Sequence, residues 1–277
     1  MWSNSRICYN LVMENLPKAL AFDLDGTLAP SKSHLESDMA DVLSSLLNFI
    51  PMAVVSGASK EQFLHQFINY LPQSGTNFSN LYIFPENGAS LEIYSDGVWT
   101  VQYEERFSED ESSKIISALK QVEEKFGLEE SWYHVLKYGH EIENRGAQVT
   151  FSALGQKAPL ELKEKWDPQQ VTRKQIKAFL DPLLPDCEIR IGGTTSIDIT
   201  KKGQNKALAI NNFLKILKID KKDLIFFGDA LYPGGNDEIV KETEVTCKMV
   251  SNPQDTIKSL RDILHMYEET NRQPSLG

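Results

Sequence analysis

Four short apolar runs constrain the fold of this 277-residue chain most: residues 19–22 (Ala-Leu-Ala-Phe), 52–55 (Met-Ala-Val-Val), 81–84 (Leu-Tyr-Ile-Phe) and 224–227 (Leu-Ile-Phe-Phe). Continuous apolar runs of this length predict buried strands. Between them the apolar spacing turns helical, over 37–47 with Ser37 as a capping residue, over 60–70, and over 206–217. Strands alternating with helices predict an α/β domain with a largely parallel, Rossmann-like sheet, whose ligands sit beyond the carboxyl ends of the strands. Each run stops at residues able to carry chemistry: Asp23, Ser56-Gly57, Glu86-Asn87-Gly88 and Gly228-Asp229.

The alternation is interrupted. From about Leu91 the pattern changes to a hairpin-type turn at Ser95-Asp96-Gly97, a charged amphipathic helix over 109–126 and alternation over 146–151 that reads as a strand with one exposed face. A helix over 170–180, a strand over 188–191 and a turn at Gly192-Gly193 follow. These elements predict an α+β cap inserted into a discontinuous core, with the core at 19–95 and 196–277, the cap at 96–195, and 1–18 as an N-terminal extension. Two hydrophobic cores suit the length, since single cores tend to split near about 250 to 300 residues.

The net charge of −10 and pI near 5.1 disfavour nucleic acid and anionic membranes as partners, because both are bound through Lys/Arg excess. The start of the chain has neither a basic segment followed by an apolar one nor an 18-residue apolar span. Cys8, Cys187 and Cys247 are far apart and form no CxxC pair, which argues against a disulfide framework or thiolate zinc site and for a reducing, cytoplasmic setting. No histidines stand at HxxxH or HExxH spacing.

The strongest chemical signal is Asp23-Leu24-Asp25-Gly26-Thr27. One carboxylate can attack phosphorus while the other, two residues on, gives a proton to the leaving oxygen and takes one from the acceptor. Gly26 permits the tight backbone and Thr27 offers a hydroxyl. The glycine at the fourth position rather than the sixth, and His34 where the closing Glu would stand, argue against a calcium loop of the EF-hand type. The segment 228–237 supplies Asp229, Asn236 and Asp237, oxygen ligands suited to a hard cation such as Mg²⁺ held jointly with Asp23. Ser56 and Lys206 can direct a hydroxyl and an ammonium at the phosphoryl oxygens, an electrostatic task.

These four elements in this order resemble the haloacid dehalogenase (HAD) superfamily. From Ala19 to about Leu264 the chain is similar to its phosphomannomutase branch, with an inserted cap of the IIB type. The similarity extends to Ile83-Phe84-Pro85-Glu86-Asn87-Gly88, to Gly192-Gly193 with Ser196 and Asp198, and to Pro233-Gly234-Gly235-Asn236-Asp237. It implies Asp23 as nucleophile, Asp25 as acid/base, and Mg²⁺ held by Asp23, the Asp25 carbonyl and Asp229. Gly26, Thr27, Ser56, Gly57 and Lys206 fall where phosphate is bound, and Arg145, Ser196 and Asp198 match cap residues that hold a phosphosugar. It also implies a small phosphorylated metabolite as substrate, and pairing of cap surfaces into a homodimer.

The chain departs from the branch at three cations. Lys32 stands in place of an arginine near the nucleophile, Gln156 in place of one after a cap glycine, and Lys163 is the nearest cation to a third. Neither Gln nor Lys reproduces the bidentate grip of Arg on phosphate, so the second-phosphate clamp is weaker. The expectation is therefore a phosphatase of a sugar phosphate or similar metabolite. A phosphomannomutase using the same aspartyl phosphate is the alternative, and a non-catalytic sugar-phosphate binder is the third reading.

Overall fold

A computed structural model of the chain describes residues 16–31, 33–128, 135 and 137–272. Lys32, Cys8, His134 and most of the expected extension 1–18 lie outside those residues. The first apolar runs form β1 (Ala19–Phe22), β2 (Met52–Val55) and β3 (Leu81–Phe84), joined by α1 (Ser37–Leu47) and α2 (Lys60–Gln66). These strands pair in parallel, and every residue of β1 and β2 is buried. α2 opens on a reciprocal cap between Ser59 and Gln62 and ends at Gln66, where a 3-10 turn at Ile68–Tyr70 replaces the rest of the helix expected to reach 70. The hairpin of β4 (Ser90–Ser95) and β5 (Val98–Glu104) turns through Asp96 and Gly97, both at positive φ (52° and 84°), as a two-residue turn requires. Both strands extend the same sheet antiparallel, so sheet membership carries the core to Glu104, past the expected limit at 95.

The insert begins with α3 (Glu109–Phe126), capped by Ser108 and Glu111 at its start and closed by Gly127 in the left-handed region (φ 66°). It continues through β6 (Ile142–Asn144), β7 (Gln148–Ser152), α4 (Leu160–Trp166), α5 (Val171–Leu180), β8 (Cys187–Gly192) and β9 (Ser196–Lys201). The strands make a separate antiparallel sheet of order β6-β7-β9-β8, which places 196–201 in the cap rather than in the core. Period-two alternation divides its faces. Val149, Phe151, Ile197 and Ile199 pack against Ile115 and Leu119 of α3 and Ile176 and Leu180 of α5. Gln148, Thr150, Ser152, Ser196, Asp198 and Thr200 occupy the alternate positions and are buried too. The polar face expected to meet solvent over 146–151 is thus covered, and the core contacts described below account for it.

The chain then returns to the core through α6 (Lys206–Leu217), β10 (Leu224–Gly228), β11 (Thr246–Met249) and α7 (Pro253–Arg272). The seven strands are ordered β11-β10-β1-β2-β3-β4-β5. Leu20, Phe22, Val54, Ile83 and Phe227 face α1 and α7 on one side, while Ala21, Ala53, Phe84 and Phe226 face Ile210 and Phe213 of α6 on the other. Strands covered on both faces explain the continuous apolar runs. The chain winds outward from β1 to β3 and resumes on the other side of β1 as β10, so the topological switch point, where open α/β sheets bind ligands, lies between β1 and β10. Among the described residues no helix is long and apolar enough to cross a membrane.

Candidate active site

At that switch point the backbone N–H of Asp23 donates to the carbonyl of Phe227 (2.9 Å), which ties the first acidic loop to the end of β10. The Asp23 carboxylate is buried and accepts from Lys206 Nζ at 2.5 Å, and the same ammonium donates to Asp237 Oδ1 at 2.6 Å. Asp237 Oδ2 accepts from the Ala230 N–H at 3.1 Å, so both of its oxygens are engaged inside the protein. Burial alone would lower the lysine's pKa, but Asp23 and Asp237 overcome it and hold the ammonium firmly charged. Asp23 is pushed well above the usual carboxylate range by burial, against the opposing pull of Lys206. Burial and Asp237 raise Asp229 to about 6. Gly26, at φ 86°, lies against Asp229 so closely that a Cβ there would overlap its carboxylate. This is where the first and last motifs meet.

Carboxylate oxygens of Asp23, Asp229 and Asp237 lie within 4.8 Å of one another. Such an all-oxygen set suits Mg²⁺, and the raised pKa values of Asp23 and Asp229 are those of carboxylates that a cation would neutralise. With both Asp237 oxygens occupied, Asp23 and Asp229 are the better-placed ligands, and Asp237 is placed to fix Lys206.

The cap's polar face closes over this end of the sheet. Arg145 Nη1 and Gln148 Nε2 donate to the Gly57 carbonyl (2.9 and 3.1 Å), and Asn87 Nδ2 donates to Gln148 Oε1 (3.0 Å) and reaches Asp198 Oδ2 at 3.5 Å. Thr150 donates to Asp198 Oδ1 at 3.0 Å. Position 57 has no room for a side chain, because a Cβ would come within 2.7 Å of Asp198 Oδ2. These bonds answer the buried polar face of β7 and β9.

Between core and cap lies a cleft of about 290 Å³. Asp23, Asp25, Gly26, Ser56, Gly57, Asp229 and Asn236 line it from the core, and Arg145, Ser196 and Asp198 from the cap. Thr27, Lys206 and Asp237, all expected there, do not line it. Thr27 is fully buried with its hydroxyl unpartnered among the described residues, and Lys206 and Asp237 stand behind Asp23. Gln156 lines the cleft, whereas Lys163 is buried beneath it and donates to the Gln156 carbonyl at 2.8 Å. Sequence reasoning placed Asn87 at a strand end able to carry chemistry without giving it a role, and missed Gln148, Thr150 and Arg190. The polar alternation of β7 and β9 was the available signal for Gln148 and Thr150, but nothing in one sequence distinguishes a wet face from one buried against another domain.

The profile of a family described as haloacid dehalogenase-like hydrolase matches residues 20–258. Among curated proteins, the chain is 27% identical over 257 residues to a phosphomannomutase of Encephalitozoon cuniculi, covering 88% of this chain and 92% of that protein. It is 28% identical over 257 residues to a phosphomannomutase of Spinacia oleracea, covering 90% and 96%. Among solved structures it superposes on an N-terminally truncated Plasmodium falciparum IMP-nucleotidase with a TM-score of 0.69 at 21% identity, over 92% of this chain and 72% of that one. The C-terminal domain of the C. albicans trehalose-6-phosphate phosphatase aligns with a TM-score of 0.63 at 14% identity, over 95% and 97%. The two structures establish shared fold alone.

Proposed function

Because this chain belongs to the haloacid dehalogenase-like hydrolase family, we propose that it is a magnesium-dependent phosphatase of a sugar phosphate or similar small phosphometabolite. The observation that carries this reading is Asp23 at the switch point, lining the cleft beside Asp25 and Asp229 with Lys206 behind it. A carboxylate oxygen of Asp23 attacks phosphorus and the bond to the ester oxygen breaks, while Asp25 gives that oxygen its proton. Asp25 then takes a proton from water, the resulting hydroxide attacks the same phosphorus, and the bond to Asp23 breaks to release phosphate. Lys206 compensates the charge of Asp23, and Asp237 fixes Lys206 in place. Mg²⁺ bound by Asp23 and Asp229 supplies the charge neutralisation that lets a phosphate approach two carboxylates.

Water is favoured over a sugar hydroxyl as acceptor because Gln156 lines the cleft where the resembled mutases carry an arginine, and Lys163 sits beneath it rather than in the cleft. Arg145, Ser196 and Asp198, which do line it, support the second reading, a phosphomannomutase. The test is to supply mannose 1-phosphate with a hexose bisphosphate activator and Mg²⁺, following free phosphate and mannose 6-phosphate together. Phosphate release outpacing isomerisation supports the phosphatase, and the reverse establishes the mutase.

A further inference from the structure

The buried side-chain nitrogens that have no acceptor among the described residues are Arg145 Nε, Gln156 Nε2 and Arg190 Nε. All three side chains belong to the cap and line the one cleft that holds Asp23. A buried donor without an acceptor is unfavourable, and three around one cavity indicate that its occupant is rich in acceptor oxygens. Arg145 and Gln156 fall at positions already considered for substrate. Arg190 does not.

Arg190 lies on β8 directly opposite Asp198 of β9, and Asp198 in turn lies opposite Thr150 of β7. The three form a row across the cap face that looks onto the strand ends. The guanidinium is steadied by Glu188, whose Oε1 is 2.7 Å from Nη2, and Nε remains without an acceptor among the described residues. Arg190, Ile191 and Asn236 also line a second basin of about 650 Å³, into which Lys174 of α5 and Lys241 bring further positive charge. The basin's acidic residues, Glu238 and Glu242, come from the core, and Glu238 is occupied by accepting from the Gly234 N–H at 2.7 Å.

We propose that Arg190, with Lys174 and Lys241, forms a subsite for a second oxyanion of the substrate, a phosphate or carboxylate carried at the end remote from the phosphoryl group that reacts at Asp23. This inference rests on the phosphoryl-transfer reading of Asp23 but not on whether water or a hydroxyl is the acceptor. The planar fork of an arginine suits a two-oxygen grip, and the lysines add charge without fixed geometry. The subsite makes substrates with two anionic groups preferred over those with one.

The test compares glucose 1,6-bisphosphate with 4-nitrophenyl phosphate as substrates of the full chain with Mg²⁺, reading the ratio of their kcat/KM values. A ratio is unaffected by any misfolded fraction, since both substrates meet the same active molecules. Arg190→Gln is expected to lower the ratio at least tenfold, through KM for the bisphosphate, Arg190→Lys to lower it less, and the pair K174Q/K241Q to lower it about threefold. A ratio unchanged in both Arg190→Gln and the double variant overturns the subsite. If the wild type turns over neither compound, the phosphoryl-transfer reading fails by that result. Calorimetric binding then decides the subsite: a preference for glucose 1,6-bisphosphate over glucose 6-phosphate that is lost in Arg190→Gln supports it, and no such preference overturns it.

Discussion

At the strand ends Lys206 stands between Asp23 and Asp237 at 2.5 and 2.6 Å, whereas on the cap face across the cleft Arg145, Gln156 and Arg190 each keep a buried nitrogen without an acceptor among the described residues. The two walls obey different requirements. A buried charge needs its partner at all times, because an unpaired one costs several kcal/mol. A buried neutral donor costs only about 1 to 3 kcal/mol when unmatched, and the guanidinium charges of Arg145 and Arg190 are already paired with Glu143 and Glu188 through other nitrogens. The core wall is therefore complete without substrate and serves the chemistry. The cap wall is completed by what binds to it and serves selection.

If that contrast holds, the largest effects come from the core wall. Asp23→Asn keeps the shape but removes the nucleophile, so turnover should fall on the order of 10⁴-fold or more and no covalent phosphoenzyme should form. Asp25→Asn loses proton transfer, about 10² to 10⁴-fold, and should still accumulate phosphate on Asp23. Mass spectrometry that places the phosphate on another residue would overturn the assignment. EDTA should abolish turnover and Mg²⁺ restore it, and full activity in a demetallated sample would break the pairing of Asp23 with Asp229.

Lys206→Met tests the same wall through stability. It leaves Asp23 and Asp237 buried without their cation, a loss of about 3 to 5 kcal/mol by the usual cost of breaking a buried pair. Urea denaturation measures it. The contrast predicts that Arg190→Gln, on the cap wall, changes stability by less than about 1 kcal/mol, and equal losses at both positions would break it.

Most of the core wall was legible in the sequence because its residues sit at the ends of continuous apolar runs. Strand ends in a parallel sheet share one edge, so the sequence pattern alone groups Asp23, Ser56 and Asp229. The cap wall was less legible for a geometric reason. Its strands alternate, and Thr150, Asp198 and Arg190 become neighbours only through antiparallel register across β7, β9 and β8, which local pattern does not specify. The cap limits were displaced for a related reason: the hairpin to Glu104 and the strand from Ser196 read alike as local segments, and only pairing assigns them to their sheets. Thr27 and Lys206 illustrate a third limit, since a motif marks proximity to a site without showing which side chains open onto it.

A smaller effect comes from Glu86, outside the cleft, in a neighbouring pocket that Arg145 also lines. Its backbone is in the left-handed region (φ 54°), the residue is 6% exposed, and Oε2 has no hydrogen-bond partner among the described residues. Burial pushes its pKa from 4.5 to about 7, against the opposing charge of Arg145. The folded value lies above the unfolded one, so the fold favours the protonated acid. Glu86 carries no penalty below about pH 4.5 and an increasing one as pH rises through 7, reaching at most about 3 kcal/mol. Glu86→Gln should therefore gain stability over wild type at pH 8 and little at pH 5, as read from denaturation at the two values. A difference independent of pH would show that the carboxyl has a partner in solution.

The smallest effect belongs to the cap wall itself. Gln156 presents an unmatched amide nitrogen to the cleft while Lys163 is held beneath its carbonyl, so Gln156→Arg adds a guanidinium where the amide offers at most two donors. Its affinity for glucose 1,6-bisphosphate should tighten about tenfold, or about 1.4 kcal/mol, through charge-assisted bonds. Repulsion from Lys163 limits the gain. A substrate with one phosphate, already engaged at Asp23, should bind with little change. The two cap positions can also be read against each other. If Gln156 and Arg190 reach the same remote oxyanion, Gln156→Arg should recover part of the bisphosphate preference that Arg190→Gln removes, and the double variant should differ from the sum of the single ones. Strict additivity would mean that the two side chains serve separate parts of the substrate, and the cap wall would then select along its length rather than at one point.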